Sequence, residues 1–305
     1  MIGRLRAPTV EYSRDNFHLA IIGGVVYRGM KWPELQGKYI FADQSGRIYA
    51  SELPEEGKAP PATLIALFEE EGMGVSNISE DEDGELLICV IKELATESGQ
   101  VYRLEKNEKG RLAQPPELLS QTGLFANLDA LEPARGFVEY DVVTPLWSDG
   151  AEKKRWISVP PNTTVIGKLR DRWKYPTGTV LLKHFEYPSA DAPRGVRRVE
   201  TRYLVVDERG VPRGASYRWN EDQTDAMLVH YMEEEWLTLT EKDGSKREVL
   251  WSYPGRTDCR RCHNEAAGYV LGFNYQQLNR LVIDRERNIE TGQLVRLRNL
   301  GVLEN

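Results

Sequence analysis

The fold of the N-terminal part is decided by residues 20–53, whose sequence is AIIGGVVYRGMKWPELQGKYIFADQSGRIYASEL. Short runs of apolar, β-branched and aromatic residues alternate here with turn residues, a pattern that predicts β-strands. With the run that follows, we expect four strands, over residues 20–27, 38–42, 47–53 and 63–68. The segment Asp43-Gln44-Ser45-Gly46 is a typical turn between two of them. Four short strands with tight turns in about 50 residues match the size of one β-propeller blade.

A second pattern of the same kind follows between residues 78 and 104. It contains an acidic turn at residues 80–84, an apolar run at residues 86–91 and a last strand from residue 99. Its end resembles the end of the first pattern, since Ser45-Gly46-Arg47-Ile48-Tyr49 and Ser98-Gly99-Gln100-Val101-Tyr102 are alike. One full repeat and part of another cannot close a ring. We therefore expect an incomplete propeller, its last blade or blades, over residues 1–104.

The sequence after residue 104 predicts a linker and a second domain. Residues 105–118, EKNEKGRLAQPPEL, are polar and contain prolines, which is typical of a linker. In residues 119–305 strand patterns occur at 156–159, 179–185, 201–206 and 236–240. Helical periodicity occurs only late, at residues 275–282 and 292–300. The predicted fold class is mainly β: incomplete propeller blades, then a β-rich, sandwich-like domain with a short helical C-terminal end.

Composition excludes several classes of protein. The 305 residues include 40 basic and 47 acidic side chains, a net charge of -7, without a basic stripe interleaved with aromatics. Nucleic acid is therefore not an expected partner. The longest apolar run, residues 19–26, is much shorter than the roughly 20 residues of a membrane span. Three cysteines exclude a disulfide framework as the basis of stability.

The chemistry of the chain is concentrated in Cys259-Arg260-Arg261-Cys262-His263, a Cys-x-x-Cys-His motif. This is the attachment signature of a c-type haem. Two thiols at this spacing can bond to the two vinyl groups of one porphyrin, and His263 then reaches the iron as the proximal axial ligand. With three cysteines and four histidines in the chain, the chance expectation is on the order of 10⁻⁴ to 10⁻³ occurrences.

Three other uses of the motif remain open. Zinc could take Cys259, Cys262 and His263, but would need a fourth ligand or an open position. A redox dithiol would require a βαβ setting, and a purely structural role is the third alternative. For a haem, the sixth ligand could be Met227, Met232, His230 or His184, or the position could be open.

Two resemblances add to this picture. The segments 23–29, 33–43 and 45–49 resemble the closing blades of soluble quinoprotein glucose/sorbosone dehydrogenase-like propellers, over about residues 17–104. In that family pyrroloquinoline quinone (PQQ) sits over a complete propeller. The resemblance thus implies PQQ only for a full-length parent, and it assigns no catalytic residue to this chain.

The second resemblance covers about residues 119–301. The segments 119–125, 140–151 and 219–226, together with the cysteine motif, look like the haem-bearing C-terminal region fused to such propellers in large secreted proteins. This implies a periplasmic or secreted quinoprotein–cytochrome fusion, whose haem exchanges electrons with the fused propeller or a redox partner protein. No signal peptide is recognisable in the first residues, so we expect a fragment or a misplaced start.

The function expected from the sequence is electron transfer through a covalently bound haem c, with catalysis in the longer parent. Two alternatives stay open: the chain contributes to the active site of a PQQ-dependent sugar or alcohol dehydrogenase, or it is a non-haem binding module for zinc or carbohydrate.

Overall fold

The protein is mainly β. The computed structural model describes residues 20–53, 62–67, 73–92, 99–105, 115–168, 172–230, 232–256, 258–284 and 289–304. Strands account for 45% of the described residues and helices for 10%, and the described strands form antiparallel sheets without a closed barrel. The chain divides into two compact units, Met1–Ala113 and Gln114–Asn305. Most of the predicted linker, residues 106–114, lies outside the described residues.

Unit 1 contains two antiparallel meanders. The first has four strands in chain order: β1 Ile21–Val26, β2 Tyr39–Asp43, β3 Arg47–Ser51 and β4 Ala62–Leu67. The second has three: β5 Met73–Glu80, β6 Leu86–Lys92 and β7 Gln100–Arg103. A 3-10 turn, Pro33–Leu35, lies between β1 and β2. The predicted turn at 43–46 is confirmed: Gly46 has a φ of 97° and its N–H donates to Asp43 O at 2.9 Å.

The two meanders of unit 1 share one apolar core. The first strands of the meanders, β1 and β5, contact each other. Side chains from both sheets are buried in the core, among them Tyr27, Ile40, Ile48, Val75, Ile78 and Ile88. Alternation along the strands explains this arrangement, because every second residue faces the neighbouring sheet.

Unit 2 is built on a six-stranded antiparallel sheet whose strands follow chain order: β10 Val138–Glu139, β11 Glu152–Ser158, β12 Val180–Pro188, β13 Val196–Val206, β14 Pro212–Trp219 and β15 Ala226–Leu228. Three two-stranded ribbons accompany it: β8 Phe125–Asn127 with β9 Glu132–Pro133, β16 Glu233–Thr240 with β17 Lys246–Tyr253, and β18 Leu281–Asp284 with β19 Ile289–Gly292. The helices are short: α1 Cys259–Cys262, α2 Tyr275–Leu278 and α3 Gln293–Asn299, with 3-10 turns at Leu119–Thr122 and Pro193–Gly195.

Both faces of the six-stranded sheet are covered. We call the face of Leu181, Lys183 and Phe185 the front face, and the face of Leu182 and His184 the back face. At one end of the front face Leu181 packs in a core with residues from the C-terminal segment. At its other end Phe185 packs against the β16–β17 ribbon. The back face carries a third core around Leu182, closed by residues 119–131.

The described residues differ from the sequence prediction in two respects. In unit 2 the described residues form one large sheet covered by ribbons and short helices, without a second large sheet that would complete a sandwich. The predicted helix at 275–282 is a single turn, α2, followed by strand β18. The apolar spacing Tyr275, Leu278, Val282 fits a helix, but Leu281 and Ile283 alternate with Val282 as a strand does. None of the described helices has the length and apolar character required to cross a membrane.

Candidate functional site

The motif predicted to carry the chemistry forms one helical turn. Helix α1 comprises Cys259–Cys262, and the N–H of His263 donates to Cys259 O at 2.9 Å, which continues the turn. Residues spaced by three and four positions lie on one side of a helix. Cys259, Cys262 and His263 therefore belong to one compact turn.

His263 is fixed by a hydrogen bond to the loop that follows it. Its Nδ1 lies 2.8 Å from the carbonyl oxygen of Tyr269. Because a carbonyl only accepts, Nδ1 carries the proton and the lone pair is on Nε2. Metal-binding histidines are held in this way, by a carbonyl or carboxylate on the other ring nitrogen. Burial lowers the pKa of His263, and the positive charges of Lys183 and Arg202 lower it further, which favours the neutral ring.

The loop that supplies this carbonyl has an unusual backbone. Tyr269 has a φ of 68°, in the left-handed region that side chains other than glycine rarely adopt, and Gly268 before it has a φ of 72°. The Tyr269 N–H donates to Asn264 O at 2.8 Å, and the guanidinium of Arg172 lies 4.8 Å above the Tyr269 ring. The loop is therefore closed on itself, with the Tyr269 carbonyl directed at His263.

The two cysteines have different surroundings. Cys259 is partly buried, and its thiol lies against β14 at Gly214, where a Cβ would come within 2.5 Å of Sγ. Burial raises the pKa of the Cys259 thiol to about 12, against the opposing effect of Arg202. Cys262 is exposed. Cys262 is therefore the more accessible of the two thiols.

A row of polar side chains crosses the front face beside the motif. Arg155, Lys183, Arg202 and Ser216 lie directly opposite one another on four consecutive strands, β11 to β14. Directly opposite residues of an antiparallel sheet share a face, so this set, which we call the cationic row, lies on the same face as Gly214. Four strands place its ends about 14 Å apart.

Two members of the cationic row have carboxylate partners. Arg202 donates from Nε and Nη2 to both oxygens of Glu200, at 2.6 and 2.7 Å, and Trp251 Nε1 donates to the same carboxylate at 3.0 Å. Arg155 Nη1 donates to Asp141 at 2.7 Å. Each of these arginines thus has a carboxylate partner, although Arg155 shares Asp141 with Arg280.

Lys183 has no such partner among the described residues. Its ammonium nitrogen lies 4.6 Å from the centre of the Phe185 ring. Burial lowers the pKa of Lys183 to about 7, and the positive charges of Arg202, Arg155 and Lys153 lower it further. Lys183 is not among the site residues predicted from the sequence, although a lysine directly after the apolar run Val180-Leu181-Leu182 is a recognisable signal.

Of the four candidate sixth ligands, His184 lies on the back face. It is fully buried, with its Nδ1 2.8 Å from Thr201 Oγ1. Trp219 Nε1 donates to the same oxygen at 3.0 Å. Nε2 faces Glu186 Oε2 at 3.3 Å. The sheet therefore separates His184 from the motif, and its ring belongs to a buried polar network.

The other three candidates lie at the margins of the sheet. His230 is exposed and its Nε2 lies 2.9 Å from Glu117. Met227 is opposite Arg218 on the edge strand β15 and is 60% exposed. Met232 immediately precedes β16 and is half-buried. Met227 shares the front face with the motif, but Arg218 is four residues, or about 13 Å, along β14 from Gly214.

Two further features concern ligands. Among the described residues, three or more His, Cys, Asp or Glu side chains do not converge in a group that could hold a metal ion. A cleft of about 630 Å³ lies along β18, β19 and α3, with Tyr140, Asp141, Arg280 and Gln293 in its wall. The motif residues do not line it.

In comparisons with known proteins, the chain matches no family model, no curated protein and no solved structure.

Proposed function

We propose that unit 2 is an electron-transfer module that holds one c-type haem covalently on Cys259 and Cys262, with His263 as the proximal ligand. The observation that carries this proposal is the hydrogen bond between His263 Nδ1 and the Tyr269 carbonyl. It leaves Nε2 as the metal-binding nitrogen of a histidine that directly follows two suitably spaced thiols.

The side chains present are of the kind a haem requires. Cys259 and Cys262 would hold the porphyrin through thioether bonds, and the neutral ring of His263 would bind the iron. A bound haem supplies a reversible one-electron couple. The protein's part is to orient His263, to anchor the ring edge and to limit access of water, so that electrons pass through the haem edge without a reacting substrate.

The alternatives receive less support from the geometry. A zinc site needs three or four ligands that converge, and the described residues do not offer such a group. A redox dithiol of the thioredoxin type belongs in a βαβ unit, whereas α1 follows an antiparallel ribbon.

For unit 1 we propose a role as the last blades of a quinoprotein-type propeller that belongs to a longer secreted or periplasmic protein. The support is its two consecutive meanders with their first strands in contact, as in neighbouring blades. PQQ and the oxidation of a substrate would belong to that longer protein, and the haem would receive electrons from the fused propeller or pass them to a redox partner.

The test is to export the full chain to the periplasm of a bacterium that produces the haem-attachment machinery. We expect a purified protein with the absorption bands of a low-spin c-type haem and a mass increase of one haem that survives denaturation. The double variant Cys259→Ala/Cys262→Ala should lose the covalent haem.

Cys89→Ala is the matched control, since Cys89 is a half-buried cysteine of unit 1 outside the motif, and it should keep the haem. His263→Ala should lose the low-spin spectrum. A folded wild-type protein that is recovered without haem and with free thiols would overturn the proposal.

A further inference from the structure

The loop 264–269 that follows His263 is held by a side chain from a distant part of the sequence. Arg172 precedes Glu265 by 93 residues, yet its Nη2 donates to the Glu265 carbonyl at 3.1 Å and to Glu265 Oε1 at 3.0 Å. Its guanidinium carbon lies 4.8 Å from the centre of the Tyr269 ring, where cation and ring attract each other. One guanidinium thus contacts the loop near its beginning and at its end.

The backbone conformation of Tyr269 explains why the loop needs such a contact. Its φ of 68° costs free energy in a residue that carries a side chain. A return to an ordinary φ would reorient the peptide group whose carbonyl accepts from His263 Nδ1. Strained conformations persist where the surroundings hold them in place. Inside the loop, Asn264 contributes by accepting from the N–H groups of Tyr269 and Ala267, at 2.8 and 2.9 Å.

Arg172 is attached to a rigid part of unit 2. The next residue, Trp173, is buried in the core beside the C-terminal segment, and its ring meets Phe273 edge to face with centroids 5.9 Å apart. Val270, which directly follows the loop, is buried in the same core. The guanidinium therefore connects the exposed part of the loop 264–269 to the core, and it limits how far the loop can open.

The contacts of Arg172 act on the loop more than on the fold as a whole. The side chains of Arg172 and Glu265 are 41% and 64% exposed. An ion pair of this kind contributes little to global stability. It can still decide the position of a short loop, because local opening costs much less free energy than unfolding.

We propose that Arg172 is a positioning residue for the proximal ligand of the haem: by holding the loop 264–269, it keeps the Tyr269 carbonyl on His263 Nδ1 and leaves Nε2 for the iron. This inference rests on the proposed function, and it adds to it a residue outside the Cys-x-x-Cys-His motif. Arg172 acts through Glu265 and Tyr269 and is not itself a ligand.

The first experiment uses the haem-free full chain, made in the cytoplasm and labelled with ¹⁵N-histidine, of which the sequence contains four. At pH 8 the wild type should show His263 as a single tautomer with the proton on Nδ1. Arg172→Ala should show a mixture of both tautomers, because the carbonyl is no longer held against the ring. Its Tyr269 N–H should exchange with deuterium about tenfold faster. Arg172→Lys keeps the charge and should fall between the two.

The matched control is Arg247→Ala, which removes the same kinds of contact elsewhere. Arg247 donates from Nε to Glu241 at 3.0 Å, its guanidinium lies 5.4 Å from the Tyr187 ring, and its side chain is 44% exposed. The two alanine variants should have similar melting temperatures, and Arg247→Ala should keep the single tautomer of His263. Mixed tautomers in the wild type, a single tautomer in Arg172→Ala, or equal effects of both variants would each overturn the inference.

A second experiment separates this inference from the proposed function. In the haem-loaded protein, the hydrogen bond from His263 Nδ1 makes Nε2 a stronger donor, which stabilises the oxidised iron. Arg172→Ala should therefore raise the reduction potential, Arg172→Lys should raise it less, and Arg247→Ala should not change it.

The outcomes of the two experiments can be told apart. A wild type that never acquires haem overturns the proposed function, while the tautomers of the haem-free protein still show whether Arg172 holds His263. A haem-loaded wild type with the same potential as Arg172→Ala overturns only the positioning role.

Discussion

The thiol of Cys259 lies against the bare backbone of Gly214. A Cβ at position 214 would be 2.5 Å from Sγ and 2.9 Å from the Cβ of Cys259, and both distances are too short for non-bonded contacts of a Cβ atom. The side chain of Leu204 closes the same space from the neighbouring strand at 3.0 Å. Helix α1 can therefore dock on β14 only because residue 214 has no side chain.

We predict that Gly214→Ala displaces α1 and destabilises the protein by about 1–3 kcal/mol, the usual cost of overpacking a closed site. Under conditions of haem attachment, the yield of covalent haem per folded protein should rise, because the docking of α1 on β14 encloses the Cys259 thiol. Chemical denaturation and the haem absorbance measure the two effects. Gly23→Ala is the control, because a Cβ there meets nothing within 4 Å and should change neither quantity appreciably.

The two thiols of the motif should differ in reactivity in the haem-free protein. With a pKa of about 12, Cys259 is almost entirely protonated at pH 8, whereas Cys262 is exposed. Since the thiolate is the nucleophile, iodoacetamide should modify Cys259 at least about 100-fold more slowly than Cys262. Peptide mass spectrometry with time gives both rates. Unfolding in urea should equalise them, and equal rates in the folded protein would contradict the placement of Cys259.

Glu186 should make stability depend on pH. Burial would raise its pKa, but the side chains of His184 and Lys154, 3.3 and 2.6 Å away, outweigh this and hold the pKa at about 2, against about 4.5 for a free side chain. A carboxylate with a depressed pKa stabilises the protein above pH 4.5, and this stabilisation is lost as the pH falls towards 2.

The difference in unfolding free energy between wild type and Glu186→Gln should therefore shrink by about 2 kcal/mol from pH 7 to pH 3. Urea denaturation at the two pH values measures it. Glu233→Gln, which alters an exposed pair with Arg218, should show no comparable change. A pH-independent difference for Glu186→Gln would contradict the assignment.

Glu200 should be the most costly carboxylate of the front face to remove. It is fully buried and binds Arg202 and Trp251. Glu200→Ala leaves a guanidinium and an indole N–H without their acceptor, and we expect a loss of about 3 kcal/mol in the free energy of unfolding. Glu233→Ala, at an exposed ion pair, should cost less than about 1 kcal/mol. Similar losses for the two variants would be inconsistent with the buried geometry of Glu200.

Much of the strand pattern could be predicted from local sequence. The strands at 38–42 and 47–53 were expected within two residues of β2 and β3, because alternation and a strong turn sequence act over short distances. Strand β14 is not predicted from the sequence, since Pro212 and Gly214 both lower strand propensity. These residues are acceptable there because β13, β15 and α1 surround them, which is tertiary information.

In the candidate site, too, some features follow from local sequence and others only from the tertiary structure. Cys259, Cys262 and His263 lie within five consecutive residues, so the motif can be recognised in the sequence alone. The cationic row depends on the register of four strands, so Arg155, Lys183, Arg202 and Ser216 are distant in the sequence. For the sixth ligand, the sequence indicates only which residue types could bind the iron, and not which of them lie near the motif. His184 is the clearest example, because its side chain direction follows from the alternation of β12 and places it behind the sheet.

The enclosure of Cys259 by β14 also sets an order of events for maturation. A thiol packed against Gly214 is less accessible to a vinyl group than the same residue in an extended segment. Thioether formation at this position would thus precede the docking of α1, and the nascent segment 251–263 would be the true substrate of the attachment machinery. Premature folding of unit 2 would then compete with cofactor loading, so slow folding would favour the mature protein.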